Sequence, residues 1–374
     1  MAGVLESKIK HVAVVHDWLT GMRGGEVVLE AILDMFPDAD LYTLLYNRGS
    51  VSRKISERKI YTSFIDHLPF KKSKYRHYLP LFPAAVEKFD FHGYDLVISS
   101  SHCAARGVIV PPGIPHISFF HSPMRYVWDM YHDYFPDKGI VNRAIIPFFA
   151  NYLRMWDVSA APRVDRYVSN SKFVGMRIRR FYGKEAHVVF PPCIEDHRQV
   201  PAISRSGDFY LVVSAMVPYK RVDLAVEAFR GLDVKLVIAG DGPELKKLKK
   251  NAPENVEFTG KCPRESLEKY YSTARGLIFP GLEDFGIVPV EAQSFGCPVI
   301  AYAKGGALET VVNGKTGVYF YEQTADAIRE GVLKNEKIKY SRKDFQKNIS
   351  RFTYGAFRKN FSKEIELMLR EYRN

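Results

Sequence analysis

Short apolar runs recur down the whole chain, each followed by a stretch of helical period, and a tandem proline divides them into two series. The first series is His11–Val15, Leu41–Tyr46, Leu96–Ser99, His116–Phe120 and Tyr167–Ser169; the second is Tyr210–Ser214, Lys235–Ala239, Val256–Thr259, Gly276–Phe279 and Pro298–Tyr302. Strands that alternate with helices pair as parallel sheets with helical crossovers, which fixes an α/β class. Between the series, Phe190-Pro191-Pro192-Cys193 leads into a polar segment from Glu195 to Asp208. Two consecutive prolines end regular structure, so the boundary is expected near residue 200. The reading is two Rossmann-like, doubly wound domains, residues 1–200 and 201–353, with a final helix, 354–374, returning to the first. That helix carries Phe357, Phe361, Ile365, Leu367 and Leu369. Ligands of open α/β sheets bind outside the carboxyl ends of the strands, so two facing sheets would gather their loops into one interdomain cleft.

The most informative junction runs from Phe279 to Glu291, where a short strand gives way to a loop holding Glu283, Asp284, Phe285 and Gly286, then to a helix. Pro289 suits the first helical position, because its missing N–H is not needed there. Val288 is then the N-cap, and Glu291 falls in the first turn with its carboxylate leaning back toward the loop. The free N–H groups of Gly286, Ile287 and Val288 make an anion site. A carboxylate beside an anion site suits a ligand with both phosphates and hydroxyls, as a nucleotide sugar has. The alternative is a helix cap by Glu291, which Val288 cannot reciprocate for want of a hydroxyl.

Length and composition bound the rest. A chain of 374 residues, 46% of them apolar, fills two cores. The cysteines, Cys103, Cys193, Cys262 and Cys297, form no paired metal or disulfide pattern, which points to a reducing, cytoplasmic setting. No apolar run approaches the ~18 residues of a membrane span. A net charge of +12 calls for an anionic partner, yet the basic residues are dispersed and no nucleic-acid-binding signature occurs. Asp38-Ala39-Asp40, the one Asp-x-Asp, lies at a strand's amino end, away from the expected cleft, so no metal is expected. Lys71, Lys72, Lys74 and Arg76 are interleaved with aromatics and read either as a solvated loop or as a contact with an anionic membrane surface.

Glu283-x7-Glu291 with Phe285-Gly286 inside it resembles the signature of glycosyltransferase family 4, retaining nucleotide-sugar transferases of GT-B fold. Other segments extend the likeness. Gly24-Gly25 after the first strand matches a loop that in the family lies against donor phosphates and acceptor. His121, directly after the strand His116–Phe120, matches a histidine that contacts the donor sugar. Lys220 matches a diphosphate-binding lysine, but the family's arginine is replaced by Ala215; Arg221 either supplies that charge or faces solvent. Lys261 and Cys262 fall in the loop that touches the base.

The resemblance implies catalytic roles for His121 and Glu283 and diphosphate contacts from Gly24, Gly25, Lys220, Arg221, Gly286, Ile287 and Val288. Asp284 and Phe285 would face the donor sugar, and Glu291 the ribose. It implies transfer of glucose or mannose from UDP-glucose or GDP-mannose, without cofactor or metal. The acceptor would be a glycan or a polyprenyl-pyrophosphate-linked sugar in cell-surface polysaccharide synthesis, and the enzyme would be peripheral on the inner face of the membrane. The alternatives are a GT-B epimerase or phosphorylase, or a non-catalytic protein that binds anions or nucleic acid.

Overall fold

The computed structural model describes residues 9–135, 139 and 141–372. Among them, thirteen strands form two sheets in which every pair is parallel. The first contains β1 (Val12–His16), β2 (Asp40–Thr43), β3 (Ile60–Thr62), β4 (Leu96–Ser101), β5 (His116–Phe120), β6 (Arg166–Ser169) and β7 (His187–Val188), in the order β3-β2-β1-β4-β5-β6-β7. The second contains β8 (Phe209–Val213), β9 (Lys235–Ala239), β10 (Val256–Gly260), β11 (Leu277–Phe279), β12 (Val299–Tyr302) and β13 (Gly317–Phe320), in the order β10-β9-β8-β11-β12-β13. Ten of these match the apolar runs of the sequence to within a few residues. The run expected to Tyr46 is regular strand only to Thr43; beyond it the Leu44 N–H still donates to the Asp17 carbonyl, and Tyr46 pairs with Leu19 as an isolated parallel bridge. The edge strands β3, β7 and β13 were not expected; β3 and β7, of three and two residues, are too short to show a period.

Both faces of a parallel sheet are covered by crossover helices, so its strands are apolar throughout rather than alternating. β1 is buried at all five positions, and β5 likewise. The helices that matter here are α1 (Gly24–Met35), α2 (Lys71–Lys74), α3 (Ile146–Ser159), α4 (Val222–Ala228), α5 (Ile287–Ser294) and α6 (Tyr354–Glu371).

By their contacts the residues fall into two compact units. One runs through Pro192 and includes the chain from Phe357 onward; the other is Cys193–Ala356. Within the first unit, Phe357 and Phe361 of α6 stack on each other and meet Phe119 of β5 edge-on. Arg166 of β6 anchors the same helix through Glu364, at 2.7 Å, and Glu371, at 3.0 Å. The buried stripe of α6 is Phe357, Phe361, Ile365 and Met368. Leu367 and Leu369, expected in that stripe, are only half-buried. A helix of 3.6 residues per turn brings position 368, rather than its neighbours, back to the face of 357 and 361. In the second unit, Cys193 and Ile194 donate to the Phe352 carbonyl, so the chain enters and leaves side by side.

Candidate functional site

In each sheet the chain order reverses once, between β1 and β4 in the first and between β8 and β11 in the second. At such a switch point the loops leaving the two central strands diverge and leave room for a ligand. Gly24 and Gly25 follow β1, Lys220 follows β8 and Glu283 follows β11; His121 follows β5, next to β4.

In the first unit, α1 begins at Gly24, so the glycine pair that the sequence placed in a loop opens the helix. The Arg23 N–H donates to Glu26 Oε2 at 3.0 Å, so Glu26 caps the helix from its first turn. Gly24 and Gly25 are therefore the first helical residues, and Gly25 lies against the rings of His16 and His121. Asp17, fully buried, ties this loop to the one after β4. Its carboxylate accepts N–H groups from His102, Cys103, Ala104 and Ala105 at 2.6 to 2.9 Å, and its Oδ2 lies 3.2 Å from His102 Nδ1. His121 follows β5, and its Nε2 hydrogen-bonds Ser100 Oγ at 2.8 Å; the same oxygen meets His16 Nδ1 at 3.1 Å. The rings of His16, His102 and His121 lie 6.1 to 6.4 Å apart. Burial, then the neighbouring His102 and His16, holds the His121 pKa well below the ordinary imidazole value, so the ring is neutral near pH 7.

In the second unit, Lys220 closes a short helical turn after β8, and its ammonium forms an ion pair with Glu283, in the loop after β11. Two close backbone approaches hold that loop. A Cβ on Gly281 would come within 3.0 Å of Lys220 Cα, and one on Gly306 within 2.2 Å of the Phe285 carbonyl oxygen. The Gly306 N–H donates to the Glu283 carbonyl at 2.8 Å. Arg221 takes the left-handed conformation at φ 51° and turns its guanidinium to Asp223, at 3.2 Å. It is bound to its own helix, and Ala215 is exposed in the loop after β8.

The helix start differs from the expected one. Gly286, left-handed at φ 97°, is the N-cap, Ile287 and Val288 are the first two helical residues, and Pro289 is the third. A proline there still removes only an N–H that has no partner within the helix. Glu291 is consequently the fifth helical residue, past the first turn. Its carboxylate pairs with Arg264 at 2.8 Å and meets Tyr271 Oη at 3.4 Å. Asp284 and Phe285 are both buried, and the Phe285 ring packs edge-on against Phe352, which gives that side chain a packing role. Lys261 is exposed after β10, and Cys262 Sγ lies 3.1 Å from Thr259 Oγ1.

The basic segment forms helical turns rather than an irregular loop. Lys71 pairs with Asp66 at 2.7 Å, Lys72 is exposed, Lys74 covers the Phe70 ring and Arg76 the Tyr75 ring. Asp40 accepts from Tyr94 Oη at 2.5 Å at the amino end of β2. Among the described residues no group of three histidine, cysteine or acidic side chains is arranged to hold a metal.

Sequence reasoning missed Asp17, Glu26, Ser100 and His102 in the first unit, and Arg264 and Gly306 in the second. A signal was present in β4, whose apolar run turns into three serines at its carboxyl end, Ser99 to Ser101.

Two family models cover most of the chain. Glycosyltransferase Family 4 matches residues 22–198, and Glycosyl transferases group 1 matches residues 194–352. A GDP-mannose-dependent alpha-(1-6)-phosphatidylinositol monomannoside mannosyltransferase of Mycolicibacterium smegmatis is 31% identical over 192 residues, 43% of this chain and 50% of that protein. An uncharacterized glycosyltransferase of Methanocaldococcus jannaschii is 26% identical over 216 residues, 55% of this chain and 57% of that protein. The chain thus spans about half the length of the curated relatives it matches. Anabaena HepE in complex with UDP-glucose superimposes with a TM-score of 0.66 at 15% identity, over 95% of this chain and 99% of that one. Sucrose-phosphate synthase from Thermosynechococcus elongatus gives 0.71 at 16% identity, over 97% and 100%. With both halves matched by family models, and with two parallel-sheet Rossmann-like domains of the GT-B kind, the chain belongs to glycosyltransferase family 4.

Proposed function

We propose that the chain is a retaining hexosyltransferase that moves glucose or mannose from a nucleotide diphosphate sugar to a glycan or lipid-linked acceptor in cell-surface polysaccharide synthesis. The observation that carries this is the Lys220–Glu283 pair beside the open start of α5, at the switch point of the second sheet. Lys220 and the N–H groups at Gly286, Ile287 and Val288 bind the diphosphate, Glu291 the ribose, and the loop at Lys261 and Cys262 the base. In the first unit, Gly24 and Gly25 serve the donor phosphates and acceptor, and His121 the sugar. GDP-mannose is the first donor to try, because a relative at 31% identity is named for it.

A diphosphate is a good leaving group, so the reaction needs charge stabilisation more than an acid. The bond from the sugar's anomeric carbon to the phosphate oxygen breaks as the acceptor oxygen bonds to that carbon on the same face. The acceptor's proton passes to the departing phosphate oxygen. Lys220 and the N–H groups neutralise that oxygen, and Glu283 faces the sugar where positive charge develops. No metal takes part.

The reaction takes place at an anionic membrane surface on the cytoplasmic side. Supporting this, α3 turns Phe148 and Met155, 71% and 60% exposed, outward beside Leu81, and with Phe149 and Tyr152 they line an apolar groove of about 330 Å³. Aromatic and apolar side chains bordered by cations suit a bilayer interface. No helix among the described residues is long and apolar enough to cross a membrane.

A thermal-shift panel of nucleotide sugars tests the core of this reading. A cognate donor at a hundred times its Kd stabilises by about 2.7 kcal/mol, a rise of a few degrees in Tm. Equal responses to all nucleotide sugars and to generic oligonucleotides would overturn it.

A further inference from the structure

A single serine hydroxyl joins two histidines in the first unit. Ser100 Oγ, fully buried, lies 3.1 Å from His16 Nδ1 and 2.8 Å from His121 Nε2. A hydroxyl has one proton to give. If both ring nitrogens carried hydrogens, that proton would be left without an acceptor inside the protein, and such an unmade buried bond is costly. One ring therefore donates to Ser100 and the other accepts from it.

The far side of His16 decides which. Its Nε2, buried and without a hydrogen bond among the described residues, lies 3.9 Å from Glu26 Oε1. Glu26 is itself buried and fixed by the Arg23 N–H at the start of α1. Burial pushes its carboxyl upward, but the His16 ring and the backbone pull it to a net value below the ordinary range, so it is ionised. A carboxylate at that distance favours a hydrogen on His16 Nε2, and in a singly protonated ring that leaves Nδ1 to accept from Ser100. Ser100 then accepts from His121, whose hydrogen must sit on Nε2. The His121 Nδ1 is left as a lone pair with no hydrogen bond among the described residues.

We propose that Glu26 and Ser100 are positioning residues that fix His121 as the Nε2–H tautomer, so that its Nδ1 accepts a hydrogen bond from a sugar hydroxyl and discriminates against a phosphate oxygen, which has no hydrogen to give. The substrate part rests on the reading of His121 as a donor-sugar contact; the tautomer does not. The chain Glu26, His16, Ser100, His121 belongs to one unit and exists without substrate.

Histidine ¹⁵N NMR of the full chain at pH 8, with assignment by His16→Gln and His121→Gln, reads the tautomers directly. The expected result is a hydrogen on Nε2 of both rings. A hydrogen on His121 Nδ1, or a doubly protonated His16, overturns the proposal. Glu26→Gln keeps an oxygen for the Arg23 N–H but removes the charge, and should shift His121 toward a mixture of tautomers. In a Ser100→Ala background the same change should leave His121 unaltered; a shift there would mean that coupling does not run through the serine. In kinetics, Ser100→Ala should raise KM for the nucleotide sugar about tenfold while Kd for the free nucleoside diphosphate changes less than twofold. If the tautomers are as expected but transfer is unaffected by His121→Gln, the assignment of His121 to the sugar fails and the relay stands.

Discussion

The ammonium of Lys220 and the carboxylate of Glu283 form an ion pair between the loops that leave β8 and β11, with the two side chains 22% and 13% exposed. Before any donor arrives, each is therefore the other's counter-charge. Breaking one partner of such a pair leaves an uncompensated, largely buried charge, whereas removing both does not. Lys220→Met and Glu283→Gln should each lower stability by about 1–3 kcal/mol, and the double variant should lose less than the sum. Chemical denaturation of the four proteins measures this, and strict additivity would show that the pair is uncoupled. In turnover, Glu283→Gln should cost roughly two orders of magnitude while nucleoside diphosphate affinity stays within a few-fold.

Glu291 is already engaged by Arg264, at 2.8 Å, so a ribose would share or displace that contact. Glu291→Ala should raise the Kd for the free nucleoside diphosphate by about tenfold, as expected for a lost hydrogen bond to a charged group. Arg264→Ala should leave the affinity unchanged or improve it. The Arg264 side chain is 57% exposed, so Arg264→Ala should cost less than ~1 kcal/mol of stability. Calorimetry separates these outcomes; an unaltered Kd in Glu291→Ala would place the ribose elsewhere.

His116 is buried between Ser99 Oγ, at 2.9 Å, and the Arg163 carbonyl, at 2.8 Å, and burial lowers its pKa to about 4. The unfolded chain, with an imidazole near 6.5, binds the proton more readily than the folded one. Stability is therefore unaffected by this group above about pH 6.5 and falls as the pH drops from there to about 4, by about 3 kcal/mol in total. Urea midpoints across that range should decline, and His116→Asn should flatten the decline.

Turnover in excess EDTA should equal turnover with added magnesium. A complete loss restored by manganese would contradict the metal-free reading.

Phe148→Ser with Met155→Ser should reduce binding to vesicles containing anionic lipid by at least tenfold, since each exposed side chain would otherwise bury ~1.5–3 kcal/mol of apolar surface. Replacing Lys72, Lys74 and Arg76 by serine should weaken binding mainly at low salt. Equal binding of the parent to neutral vesicles would remove the electrostatic part. Both variants should keep their response to nucleotide sugars.

The sequence by itself determined the class of fold and the junctions worth attention. Apolar runs such as Val12–Val15 and Leu236–Ala239 are buried on both faces, and that demand is written in residue type alone. The histidine at 121, the glutamate at 283 and the glycine at 286 were legible because they stand in loops that follow strands, and Glu291 because it lies in the helix that the second of those loops opens. Tertiary structure alone decided what those side chains meet. Lys220 and Glu283 are far apart in the chain and become partners because β8 and β11 are neighbours at a reversal of strand order. Ser100 joins His16 to His121 for the same reason, because β4 lies between β1 and β5, whereas Arg264 reaches Glu291 from the helix that follows β10: sequence periodicity encodes which face a residue buries, but strand order and helix packing choose its neighbours. The true start of α5 was likewise hidden, because Pro289 tolerates the first or the third helical position and only the left-handed Gly286 separates the two.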